Sequence, residues 1–144
     1  LAARWGVEFI DCDDAFVERW GETVQDVLRR DGEALFRERE YQVLEEVLGR
    51  DAVVATGGGV VTNAHARQLL RDAPTLWLDA PDVTLLERVR EGDRPLLADA
   101  PAETLARLRA QRSRFYAETA RGYVTVDRDV QDICDDLERA LETN

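Results

Sequence analysis

The chain has 144 residues, of which 44% are hydrophobic, and its 30 acidic against 19 basic side chains give a formal charge of −11. That length suits one compact domain, and the negative balance repels a phosphate backbone, so nucleic-acid binding is excluded as the main task. No run of about eighteen apolar residues and no basic-then-apolar leader opens the chain, so neither a membrane span nor a secretory signal is supported and a cytoplasmic protein is expected.

Cys12 and Cys134 lie far apart, without the spacing of a zinc site or a redox pair, and read as reduced thiols. All basic residues are arginine; lysine and methionine are absent. Leu1 is therefore expected not to be the natural start. A phosphate-binding loop of the GxxxxGK[ST] kind needs a lysine to reach the terminal phosphates, and this sequence has none.

In chain order, Leu1 to Trp5 reads as a helix end stopped at Gly6, followed by a short apolar strand, Val7 to Ile10. Two helical stretches come next, Asp14 to Trp20 and Thr23 to Arg30. The second opens on Thr23 with Asp26 three residues later, close to a capping box. From Asp31 to Leu48, Phe36, Leu44, Val47 and Leu48 share one helical face with charges opposite, and Gly49 ends the run. Ala52 to Ala55 is a strand that runs into Gly57-Gly58-Gly59, after which Asn63 to Leu70 is again helical. Thr75 to Leu78 is a third strand, Asp82 to about Arg90 a helix, and Tyr123 to Val126 a fourth strand before a final amphipathic helix. Between them, Glu91 to Ala102 is broken by Gly92, Pro95 and Pro101 and reads as a lid or binding loop. Alternating strands and helices predict an α/β fold with a mostly parallel sheet covered on both faces.

Three constellations carry chemistry. Asp11-Cys12-Asp13 ends the first strand, where open α/β sheets bind ligands. One carboxylate there could polarise a hydroxyl while the other holds a metal's water shell. Capping of the next helix by Asp13 or Asp14 is the competing role. The glycine triplet lets a ligand approach the backbone and exposes N–H donors, or makes a tight turn. Arg37, Arg94 and Arg112 are candidate anion clamps, although Glu33 and Glu40 around Arg37 also fit an ordinary surface ion-pair ladder. His65, the sole histidine, reads as a surface or capping residue, and Trp5, Trp20 and Trp77 as core or core-edge.

Taken in order, Asp11-x-Asp13, Gly32-Glu33-x-x-Phe36-Arg37-x-x-Glu40, Thr56-Gly57-Gly58-Gly59, Arg94-Pro95-Leu96-Leu97 and Arg112-x-x-x-Tyr116 resemble the shikimate kinases over almost the whole chain. The resemblance implies a P-loop kinase-like, three-layer α/β/α domain over residues 1–144, with a substrate-binding region at about 12–40 and a lid at about 91–112. It implies transfer of the ATP γ-phosphoryl group to the 3-hydroxyl of shikimate, a step of aromatic amino-acid biosynthesis. Mg2+ is the implied cofactor, with shikimate and ATP/ADP as partners of a monomer that binds neither nucleic acid nor membrane.

Carried over by motif, Asp13 contacts the shikimate hydroxyls and takes a proton, and Asp11 helps to order magnesium. Arg37 and Arg112 grip the substrate carboxylate, Glu40 orients Arg37, and Gly58 offers backbone to the substrate. Arg94 closes over ATP and stabilises charge on the transferring phosphoryl group. Arg88 is a weaker implied neighbour of adenine, as is the loop from Asp127 to Gln131.

The family also begins with a strand, a lysine-bearing phosphate loop and most of a helix, about 20 residues judged from the motif's usual context. Without the loop's amides, lysine and magnesium-binding hydroxyl the 144 residues alone are expected to be inactive, and because the family's 2-3-1-4-5 strand order then lacks its central strand they are expected to be unstable or rearranged unless the segment is supplied. Two other readings compete. A gluconate-type P-loop kinase would be separated by a substrate screen, and a non-catalytic module that keeps only the substrate pocket by the upstream reading frame.

Overall fold

The structure, a computed structural model, describes residues 1–91 and 100–143. Its elements are α1 (Ala2–Trp5), β1 (Glu8–Asp11), α2 (Cys12–Trp20), α3 (Val24–Asp31), α4 (Glu33–Val47), β2 (Ala52–Ala55), a 3-10 turn (Val60–Thr62), α5 (Ala64–Asp72), β3 (Leu76–Asp79), α6 (Asp82–Glu91), α7 (Pro101–Thr119), β4 (Gly122–Thr125) and α8 (Val130–Glu142). They fall into two compact units, Leu1–Ala73 and Pro74–Asn144. The described strands form two parallel pairs, β1 with β2 and β3 with β4. Parallel pairing demands a crossover between partners, which α2 to α4 supply in the first unit and α6 and α7 in the second. The α/β expectation holds.

The first unit is built around Phe16, Val27, Val43 and Leu44, the largest fully buried side chains. Each contributes about 1.5–3 kcal/mol by burial. Phe16 of α2 meets Phe36 of α4 edge-on, with ring centroids 5.4 Å apart, and Ile10 of β1 is buried in the same unit. Thr23 caps α3 by accepting the Asp26 N–H at 3.1 Å, as the sequence predicts. Gly6 ends α1 in the left-handed region at φ 67°, where a side chain would be strained.

In the second unit Trp77 of β3 packs against Tyr116 of α7 and Tyr123 of β4, at centroid distances of 5.3 and 6.2 Å. Val124, Cys134, Ala80 and Thr119 are buried among its described residues. α7, the longest helix, lies partly in the segment assigned to the lid. Pro101 is its first residue, where the missing N–H costs nothing, so the proline starts a helix here instead of breaking one. Residues 92–99 lie outside the described residues, and the expectation for Arg94 lies there with them.

Candidate active site

The carboxyl end of β1 turns directly into α2, and Asp11 occupies the junction. Its Oδ1 accepts the Asp13 N–H at 2.8 Å, so Asp11 is the N-cap. The sequence pattern points instead to Asp13 or Asp14 as the cap. The helix starts two residues earlier than its apolar pattern indicates, which moves the cap onto Asp11 and places both later carboxylates in the first turn. Negative charge is favoured at that end of a helix by the backbone dipole. Asp13 is exposed there.

Cys12, between these two carboxylates, is only 6% exposed. Burial, then the charges of Glu40, Asp11 and Asp13, push its thiol up to about 12.

On α4 the Arg37 guanidinium donates through Nη1 to Glu40 at 2.8 Å and through Nη2 to Glu33 at 3.4 Å. The ladder foreseen on a surface is therefore real but half-interred, with Arg37 12% and Glu40 8% exposed while Glu33 stays 52% exposed. The guanidinium carbon stands 4.9 Å from the centre of the Phe36 ring. The Arg37 Nε is buried and has no hydrogen-bond partner among the described residues.

The loop after β2 lies against this arginine. Gly59 has φ −87° and ψ −6°, ordinary backbone for any residue, yet a Cβ built on it would stand 2.0 Å from Arg37 Nη2 and 2.5 Å from Cζ. At Gly57 a Cβ would come within 3.2 Å of Glu40 Oε1. The turn itself is fastened by Val60 N–H to Gly57 O at 3.3 Å and by the Thr62 hydroxyl to Gly59 O at 2.7 Å. Asn63, which sequence reasoning passed over, caps α5 through the His65 and Ala66 N–H groups and donates to the Arg37 carbonyl at 3.5 Å. An asparagine before a helix is a readable capping signal; its reach to α4 is not. His65 itself is exposed.

The first unit thus sets Arg37 and Glu40 against Gly59 and Gly57, and holds Asp11 and Asp13 at the carboxyl end of β1. Arg112 belongs to the second unit, half-buried on α7, and makes no hydrogen bond or ion pair among the described residues. Arg109, on the preceding turn of the same helix, bonds Asp79 at 2.9 Å and the Ala80 carbonyl at 3.3 Å. Arg88, considered for adenine, donates to the Val126 carbonyl at 2.8 Å and ties α6 to the loop after β4. In that loop Asp129 caps α8 through the Gln131 N–H at 2.8 Å, and Arg128 pairs with Asp136. Both Trp20 and Trp77 are half-buried, whereas Trp5 is 45% exposed, so the core reading fails for Trp5.

Among the described residues no cluster of three or more His, Cys, Asp or Glu side chains could hold a metal by itself, and no helix is long and apolar enough to cross a membrane. Hard oxygen donors are nevertheless present in the Asp11-x-Asp13 pair. Such a pair suits a cation that keeps most of its ligands as water and substrate phosphate.

A family model for shikimate kinase matches residues 1–142. The chain is 43% identical over 122 residues to a shikimate kinase of Synechococcus elongatus, covering 82% of this chain and 64% of that one. It is 42% identical over 116 residues to a bifunctional shikimate kinase/3-dehydroquinate synthase of Thermotoga maritima, covering 80% of this chain and 23% of the other. It therefore spans less than two thirds of either relative. A shikimate kinase of Enterococcus faecalis is 32% identical over 147 residues, with 99% and 88% covered. Among solved structures, the shikimate kinase of Acinetobacter baumannii in complex with shikimate superposes with a TM-score of 0.88 at 31% identity, over 99% of this chain and 80% of that one.

Proposed function

Because the chain belongs to the shikimate kinase family, we propose that the protein carrying it transfers the γ-phosphoryl group of ATP to the 3-hydroxyl of shikimate. The observation that supports this most directly is the Arg37 guanidinium. It is fixed by two carboxylates and Phe36, nearly buried, and retains a buried Nε donor without a hydrogen-bond partner among the described residues. A preorganised, part-desolvated guanidinium is the group that recognises a carboxylate.

In this reading Arg37 takes the shikimate carboxylate and Arg112 is its second clamp, with Glu40 holding Arg37 in the receiving orientation. Gly58 presents backbone to the ring. Asp13, exposed at the first turn of α2, bonds the substrate hydroxyls and accepts the proton of the one that attacks phosphorus. Arg94 is assigned to the transferring phosphoryl group. Mg2+ fits the oxygen donors at the β1–α2 junction, with Asp11 orienting its water shell, and when bound it would neutralise charge on the nucleotide phosphates. The catalytic work left to the protein is positioning and electrostatic stabilisation, which phosphoryl transfer chiefly requires.

The test is ATP- and Mg2+-dependent formation of shikimate 3-phosphate by the full natural protein. Turnover of shikimate supports the assignment. A folded protein that leaves shikimate untouched but phosphorylates another hydroxy acid would remove it.

A further inference from the structure

We propose that Gly59 is a positioning residue for substrate binding: its missing side chain is the slot in which the Arg37 guanidinium lies. The usual reason for a glycine does not apply, because φ −87° and ψ −6° are open to any residue. What requires glycine is space. A methyl group there would occupy the guanidinium's own position, 2.0 Å from Nη2, 2.5 Å from Cζ and 2.8 Å from Nη1. The atoms that must yield are the mobile end of a long side chain, so the loop can survive substitution while Arg37 is expelled. Expulsion would separate Arg37 from Glu40 and Glu33 and turn its donors away from any carboxylate they are set to receive. Gly57 serves the same arrangement more weakly, since a Cβ there crowds only Glu40 Oε1, at 3.2 Å.

This inference rests on the reading that Arg37 meets the substrate carboxylate, and a double-mutant cycle separates the two. In the full natural protein, Gly59→Ala should raise the Kd for shikimate by about tenfold or more, the loss of one charge-assisted interaction, with the KM for ATP unmoved. In an Arg37→Ala background, Gly59→Ala should change the shikimate Kd by no more than about twofold, because the group it displaces is gone. Additive losses in the two backgrounds, or an unimpaired Gly59→Ala protein, would overturn the proposal. If Arg37→Ala alone leaves shikimate binding intact, the substrate reading falls instead. The positioning role is then decided by Tm, which Gly59→Ala must lower with Arg37 present and leave unchanged with Arg37→Ala. Should Gly59→Ala fail to fold, the double variant must recover folding; failure of both would also overturn it.

Discussion

Arg37 and Glu40 form an ion pair of 2.8 Å with 12% and 8% of their side chains exposed, so both charges are largely withdrawn from water. Removing one partner of such a pair leaves a desolvated charge. Glu40→Ala should therefore destabilise the protein by about 3 kcal/mol, with Glu40→Gln losing less because its carbonyl still accepts from Nη1. Urea unfolding with an unchanged m-value measures this. A Glu40→Ala protein within experimental error of the parent would show that the pair is not closed to solvent.

Asp11 has two separable duties, a cap and a charge. Asp11→Ala removes the acceptor for the Asp13 N–H and should cost about 1 kcal/mol, whereas Asp11→Asn keeps a good N-cap and should hold stability near the parent value. If Asp11 also orders the water shell of Mg2+, Asn should raise the Mg2+ concentration needed for half-maximal activity while Tm stays put. Equal Mg2+ dependence in Asn and parent proteins would leave Asp11 a cap only.

Much of this neighbourhood is legible in the sequence, and the illegible part has a physical cause. The strand from Ala52 to Ala55 can be read because a short apolar run before three glycines has few alternatives. The amphipathic face of α4 marks Phe36 and Leu44 as interior, and both are buried. The depth of the Arg37–Glu40 pair is not readable, because i,i+3 and i,i+4 charges look the same on a wet face and on a face covered by a distant loop. The loop from Gly57 to Gly59, which follows β2 where it pairs with β1, is one such cover, close against Glu40 and Arg37. Pro101 misleads for a related reason, since a proline in mid-helix breaks it whereas the same proline at the first position begins one, and the residue type alone does not say which.

The Cys12 thiol, pushed up from 9.0 to about 12 by burial and by Glu40, Asp11 and Asp13, ties stability to alkaline pH. A folded-state value above the unfolded one means that the native protein holds its proton longer. The contribution is complete below pH 9 and is lost as pH rises toward 12, at up to about 1.4 kcal/mol per unit. Cys12→Ala should flatten that part of the stability–pH profile. The intact thiol should also resist alkylation at about pH 8 until the protein unfolds; rapid labelling of the native state would contradict its burial.

Arg112 offers the sharpest contrast with Arg37. Arg37 is committed to Glu40 and Glu33, whereas Arg112 has no ion-pair or hydrogen-bond partner among the described residues. Arg112→Ala should accordingly shift stability by no more than about 0.5 kcal/mol. If it clamps the shikimate carboxylate, the same substitution should weaken shikimate binding by about 1.5–3 kcal/mol, the worth of a hydrogen bond to a charged group. Arg37→Ala should weaken both properties, because it also removes the 2.8 Å ion-pair partner of the buried Glu40. Calorimetric titration with shikimate beside urea unfolding of both variants reads the two axes independently. A loss of stability without a loss of affinity at Arg112 would reverse its assignment and make it a structural residue of α7.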